Sequence, residues 1–294
     1  MIHLRGRQAD VVIDTSMGVP VIVWWGAPLG SVDPLSIVAA LERPVQQGTI
    51  GVVAPISVVP EHGAGFQGRP GLTGSRRGGV AWSPRFSPSS VTDIDGGVVV
   101  LARDPVADLL LSTRITLEEV LTVTCTLTNE GTGRYLLDGL HPTVPLPAHA
   151  SDLMTFDGRW TREFHPVRRP WGSGSWVAEN RAGRTSHENA PLVFAGAPGF
   201  GEWHGEVWGV HVAWSGNHTM LADCLADGRR YVQGGELLHP GEVCLEAGES
   251  YVSPSVVGTF SPAGLTAAAW GYHRSLRSFE VHPARPRPVL LNIW

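Results

Sequence analysis

The chain has 294 residues, 43% of them hydrophobic and 17% charged, which is globular and long enough to bury a core as one large β domain or two ordinary ones. A formal net charge of −5 and a pI near 6.2 exclude a strongly basic partner surface for nucleic acid or anionic membrane, and basic residues such as Arg76-Arg77, Arg168-Arg169 and Arg229-Arg230 occur as pairs, not patches. No segment reaches the ~18 consecutive apolar residues of a spanning helix.

Thirty-six glycines and 23 prolines suit many short strands joined by turns better than long helices. The eleven tryptophans read first as core payload and second as flat platforms of the kind that stack on sugar rings. Behind its basic residues the segment Met1–Asp10 has no apolar run, so no secretory signal is expected. Cys125, Cys224 and Cys244 are odd in number and lack CxxC spacing, which predicts buried thiols in a cytoplasmic protein.

In chain order, Val19–Trp25 reads as a strand closed by Gly26, and Asp33-Pro34 offers an N-cap and N1 proline for a short helix through Leu41 and Glu42. An apolar run from Ile50 to Val59 ends at Pro60. Glu61–Gly71 is then a glycine-rich connector or a binding loop carried on a rigid sheet. Leu121–Thr128 alternates Leu, Val, Cys and Leu with four threonines, the period of a half-buried antiparallel strand. Asn129-Glu-Gly131 is expected to turn it, with Arg134–Asp138 returning. Three prolines keep His141–Pro147 out of a central sheet position.

Gly205–Trp214 is a second clear strand, with Trp208, Val210, Val212 and Trp214 on one face and Val207, Gly209, His211 and Ala213 on the other. Ser215-Gly-Asn217 is its turn. Asp227-Gly228 marks a hairpin between Met220–Leu225 and Arg230–Gln233, and Gly241–Glu246 and Glu249–Val252 continue the sheet. One helix follows, capped by Ser261 with Pro262 at N1 and carrying Leu265, Ala269, Tyr272, Leu276 and Phe279 at helical spacing. The closing Arg285–Trp294 joins a stiff Pro-Arg connector to an apolar run, which reads as the doorway of a further domain.

No spacing among the 27 acidic residues identifies a catalytic carboxylate pair, and Glu118-Glu119 and Glu202/Glu206 read as solvated faces or turn anchors. The histidines at 141, 149, 204 and 211 lack zinc-site spacing, so neither a metal nor a cofactor is expected. No GxSxG, P-loop or dinucleotide-binding element is present.

Several stretches together resemble the N-terminal portion of bacterial α-galactosidases of glycoside hydrolase family 36. They are Phe156-Asp-Gly-Arg-Trp160 with Arg162-Glu-Phe164; Asn180-Arg-Ala-Gly-Arg-Thr-Ser-His187; Gly205–His211 with Trp214-Ser-Gly-Asn-His218; and Gly235–Glu242, Gly248–Tyr251, Tyr272–Arg277 and Arg287–Asn292. The resemblance implies a mostly β chain, a large antiparallel β-supersandwich of the galactose-mutarotase type with one late helix. Residues 1–280 would form that domain, and residues 281–294 the linker and first strand of a (β/α)₈ catalytic barrel outside this chain. It implies no catalytic residue here, both catalytic aspartates lying downstream. Among residues of this chain it assigns Trp294 to the galactose pocket, and Phe66 and Arg69 to a loop that reaches substrate. Arg184, Thr185, Ser186, His187, Trp214 and Asn217 would hold the sandwich together or face the barrel. The implied partners are that barrel, α-galactosides and further copies of the chain. Two other functions fit the same pattern: an autonomous carbohydrate-binding module, and a stand-alone sugar epimerase needing a His/Glu pair on one sheet face, for which no pair can be nominated.

Overall fold

Period-two patterning in the middle of the sequence decides the architecture. The computed structural model describes residues 1–41 and 53–293, among which twenty strands and two helices form. The strands β1 (Ile2–Arg5), β2 (Asp10–Asp14) and β3 (Val21–Gly26) make a first antiparallel sheet. In α1 (Pro34–Leu41) the Asp33 carboxylate accepts the Leu35 amide at 3.2 Å, as an N-cap does. Beyond the glycine-rich loop lies β4 (Leu72–Arg76), and then β5 (Ser87–Ile94), β6 (Gly97–Asp104), β7 (Leu109–Leu117) and β8 (Leu121–Asn129) form a continuous meander. Next come β9 (Tyr135–Leu140) and β10 (Thr143–Leu146), the long hairpin of β11 (Asp152–Arg159) and β12 (Arg162–Pro170), and β13 (Gly174–Asn180) with β14 (Leu192–Gly196). The last strands are β15 (Val207–Ala213), β16 (His218–Cys224), β17 (Arg230–Glu236), β18 (Val243–Leu245), β19 (Ser250–Val252) and β20 (Ser255–Ser261), and α2 (Leu265–Ser278) follows them.

The largest sheet has ten strands in the order β12-β11-β14-β15-β20-β8-β7-β6-β5, with β19 also paired to β8. In β8 the sequence pattern is realised directly: Leu121, Val123, Cys125 and Leu127 are buried and the threonines between them half-buried. Those side chains share one contiguous core with Leu137, Val144, Met220 and Val232 from the sheets β18-β9-β4 and β10-β17-β16-β13. The result is the expected β-supersandwich, mostly β and antiparallel.

The first sheet is fastened to the large one by aromatic side chains. The Trp208 indole, 2% exposed, packs on Phe260 at 5.0 Å and donates its Nε1–H to the Trp25 carbonyl at 2.9 Å. The Trp25 ring in turn lies over Gly258, where a Cβ would come within 2.4 Å of it. Of the ten described tryptophans, however, only Trp25, Trp171 and Trp208 are buried, and Trp82, Trp160, Trp203, Trp214 and Trp270 are exposed. The core assignment therefore holds for a minority.

Several local expectations are corrected. Asn129-Glu-Gly131 does not return the chain beside β8, because β9 pairs with β4 and β18 in another sheet. The Asn129 side chain fixes that crossing, donating to the carbonyls of Gly133 and Leu245 at 2.8 and 2.9 Å. The segments around Val243–Leu245 and Ser250–Val252 likewise belong to two sheets. The proline-rich His141–Pro147, by contrast, stays out of a central position as expected, its strand β10 sitting at the edge of its sheet. The late helix starts at Leu265, not after Ser261. Ser261 caps only the Ala263 amide, and Gly264 turns the chain at φ +87°, pressed so close to Gly201 and His204 that a Cβ would clash. Its buried face is Leu265, Ala268 and Gly271, while Leu276 and Phe279 are about half exposed. Small residues win that face because the helix lies tight on β20: a Cβ on Gly271 would meet the Thr259 hydroxyl at 2.5 Å. Arg274 of α2 ties to Glu119, which confirms the turn-anchor role of that carboxylate and holds it below its ordinary pKa.

After α2, residues 279–293 belong to no helix or strand, and Val289, Leu290, Leu291 and Ile293 are more than four-fifths exposed. No described helix is long and apolar enough to cross a membrane. The expected positions Glu42 and Ile50, and Trp294, lie outside the described residues.

The base of the glycine-rich loop carries a titratable anchor. Glu61 accepts the Phe86 amide at 2.6 Å, beside Asp104, which accepts the Arg85 amide at 2.7 Å. Burial pushes the Glu61 carboxyl up from 4.5 to about 7, and Asp104 adds to the shift against the Phe86 amide and Arg85. Because the folded pKa exceeds the unfolded one, the bound proton stabilises the fold; that contribution is complete below about pH 4.5 and is lost as pH rises through about 7. Glu61→Gln, which keeps an acceptor and cannot ionise, is expected to be more stable than the parent above pH 7 by on the order of 3 kcal/mol, with the difference vanishing in acid. Urea melts of both proteins across this pH range measure it.

Candidate functional site

The pairing of β13 with β16 brings two of the sequence motifs together. Its register sets Asn180, the first residue of one motif, opposite His218, the last residue of the other, so both connecting loops leave the sheet at the same point. Asn180 is buried, and its amide donates to the Arg184 carbonyl at 2.7 Å and to the Gly216 carbonyl at 3.1 Å. Gly183, at φ +72°, turns the first loop so that its amide meets the Asn217 side-chain oxygen at 2.8 Å. Thr185 donates its amide to the Ser215 carbonyl at 2.9 Å, and Ser186 accepts the Asn189 amide. His218 lies buried beneath, its Nδ1 beside the Gly216 carbonyl, with its pKa lowered chiefly by burial.

The β11–β12 hairpin packs on the same loops. Gly158 lets it approach, since a Cβ there would come within 2.4 Å of the His187 carbonyl. The Trp160 ring then meets the His187 imidazole at 6.0 Å, edge to face. Phe164 adopts φ +50°, a left-handed conformation costly for a bulky residue. An edge-to-face relay from Phe164 to Phe156 at 6.3 Å and on to Phe194 at 6.2 Å fixes its ring to the core.

Trp214 does not stay on the face of Trp208, Val210 and Val212. β15 ends at Ala213, and the Trp214 amide bonds back to the Val212 carbonyl at 2.8 Å, a three-residue turn that takes the indole out of the alternation. The indole settles on Gly216, where a Cβ would stand 2.6 Å from its nitrogen. It now lines an open hollow of about 500 Å³ together with Phe164, Thr185, Pro191, His211, Ala213 and Ser215. His211 donates its Nδ1–H to the Pro191 carbonyl at 2.9 Å, and burial lowers its pKa, so the ring is neutral and Nε2 is an acceptor.

No carboxylate lines this hollow. The hydrogen-bonded pair His149–Glu206, at 2.8 Å, stands apart from the lining residues. Among the described residues no group of three His, Cys, Asp or Glu could hold a metal ion. Of the residues expected to function together, Arg184, Thr185, Ser186, His187, Trp214 and Asn217 do meet at this junction. Phe66 and Arg69 lie elsewhere. Phe66 is 3% exposed and packs on Tyr231 at 5.7 Å, and the Arg69 backbone bonds to the Tyr231 hydroxyl and the Gln233 amide. Asn180, Phe164, Gly216 and His211 were not singled out by sequence. All four stand inside the quoted motifs, but none carried an assigned role there.

Comparison with known proteins joins these motifs to a family. Residues 18–246 match the family model described as the glycosyl hydrolase family 36 N-terminal domain. The chain is 38% identical over 296 residues to an alpha-galactosidase of Escherichia coli, an alignment that takes in 99% of this chain and 41% of that protein. It is 32% identical over 200 residues to the alpha-galactosidase AgaA of Geobacillus stearothermophilus, covering 64% of this chain and 27% of that one. Its fold matches the crystal structure of the family 36 AgaA with a TM-score of 0.81 at 23% identity, over 94% of this chain and 43% of the other. The alpha-galactosidase of Lactobacillus brevis gives a TM-score of 0.81 at 17% identity, over 92% and 40%. The chain thus spans about two fifths of the Escherichia coli relative and of these structures.

Asn180→Ala leaves the carbonyls of Arg184 and Gly216 without their shared donor and is expected to cost about 1–3 kcal/mol. Thermal melts read the loss, and a changed near-ultraviolet circular dichroism from Trp214 reads the loosened loop.

Proposed function

The chain belongs to the family of glycosyl hydrolase family 36 N-terminal domains, and on that premise we propose that it is the non-catalytic β-sandwich domain of a retaining α-galactosidase. The observation that carries this is the 38% identity through 99% of the chain to only two fifths of an alpha-galactosidase. Retaining hydrolysis needs two carboxyl groups about 5–5.5 Å apart across the scissile bond. The hollow offers none, so the chemistry is assigned to a (β/α)₈ barrel beyond this domain.

In this function residues 281–294 lead into that barrel, with Trp294 at its sugar pocket. The apolar side chains of Val289, Leu290, Leu291 and Ile293, and those of Trp270, Leu276 and Phe279 on the outer face of α2, supply surface for it to cover. The domain supports the barrel and the rim of the active site, contributes to association into a homo-oligomer, and works in the cytoplasm on α-galactosides.

The purified chain is expected to leave an aryl α-galactoside uncleaved, measured by release of the aryl group against buffer. Turnover at a rate typical of glycosidases, in protein free of host enzyme, would overturn the assignment.

A further inference from the structure

We infer that the hollow between Phe164 and Trp214 is a binding subsite for a neutral pyranoside on this domain. Three features of its construction carry this. The first is two aromatic walls held rigid before any ligand arrives. Phe164 is anchored through Phe156 and Phe194 to the core, and Trp214 is seated on Gly216 by a three-residue turn. Both are partly exposed, at 53% and 39%, so each can offer a face to a ligand.

The second feature is the polar complement. Thr185 and Ser215 bring hydroxyls that bond to no other described residue, and neutral His211 brings an Nε2 acceptor while its Nδ1–H is already committed to Pro191. Donors and acceptors of this kind suit alcohol groups. The third is charge. The lining contains no carboxylate, lysine or arginine, so nothing there selects an ionic ligand. The hollow is open, with a volume of about 500 Å³, so a ligand there would rest on its aromatic walls and stay partly in solvent. A molecule with flat C–H faces, several hydroxyls and no charge matches all three, and a pyranoside is that molecule.

The subsite stands on its own walls and does not depend on the activity assigned to the whole protein. The test is a calorimetric titration of the chain with raffinose and with methyl α-galactopyranoside. Saturable millimolar binding of at least one is expected. Trp214→Ala should weaken it about tenfold or more. Ala213→Phe, which fills the hollow and leaves both walls in place, should abolish it. Trp160→Ala, which alters an aromatic of the same hairpin outside the hollow, should leave it intact. Absence of saturable binding to both sugars, or binding that survives Ala213→Phe, overturns the inference. So does concentration-dependent dimerisation that Ala213→Phe abolishes in the absence of sugar binding, since the hollow would then be filled by a second copy.

Discussion

The fold depends on one buried indole. Trp208 sits mid-sheet on β15, fills the core against Phe260, and spends its single N–H on the carbonyl of Trp25 in a separate sheet. A buried indole nitrogen without a partner costs about 1–3 kcal/mol, so this bond fixes where the first sheet docks as well as adding to cohesion. The docking also needs Gly258, because the Trp25 ring occupies the space any side chain there would take. From that fastening the large sheet can run on one side to the meander β5–β8 and on the other to the β11–β12 hairpin. The aromatic hollow lies toward the second of these ends.

The motif junction follows the same logic at smaller scale. Two loops remote in sequence are joined because antiparallel register places Asn180 opposite His218, and one amide then satisfies a carbonyl from each loop. The glycines of these motifs are required by close approach. Gly216 seats the Trp214 ring, Gly158 admits the hairpin against His187, and Gly183 supplies a left-handed turn. These motifs therefore act as a device for placing aromatic side chains.

Much of this was legible in the sequence wherever a repeat of two was clean. Leu121–Thr128 became β8 with its threonines out, and Asp227-Gly228 became the hairpin between β16 and β17. Reading failed where the next partner was chosen by something distant. Asn129 looked like a hairpin turn, yet its side chain bonds to Leu245, 116 residues on, and sends the chain to another sheet. Of the α2 stripe Leu265, Ala269, Tyr272, Leu276 and Phe279, Leu265 is buried and Tyr272 packs on the core, but the close approach to β20 runs through Ala268 and Gly271, since large residues there would hold the helix away. At the site, Thr185 and Trp214 could be assigned a place from sequence, whereas His211, although inside a motif, could not. Alternation placed it opposite Trp214, and only the break in the strand after Ala213 puts both on one hollow.

The sequence by itself determined the β character, the faces of the cleanly alternating strands, the Asp227-Gly228 hairpin and the family, because alternation, turn residues and motif identity are local properties of the chain. Tertiary structure alone decided which strands share a sheet, which tryptophans are core and which are surface, and which side chains meet around the hollow. Those outcomes depend on hydrogen bonds and van der Waals contacts between residues far apart in sequence. A buried amide or an indole finds its partner only once the sheets are stacked.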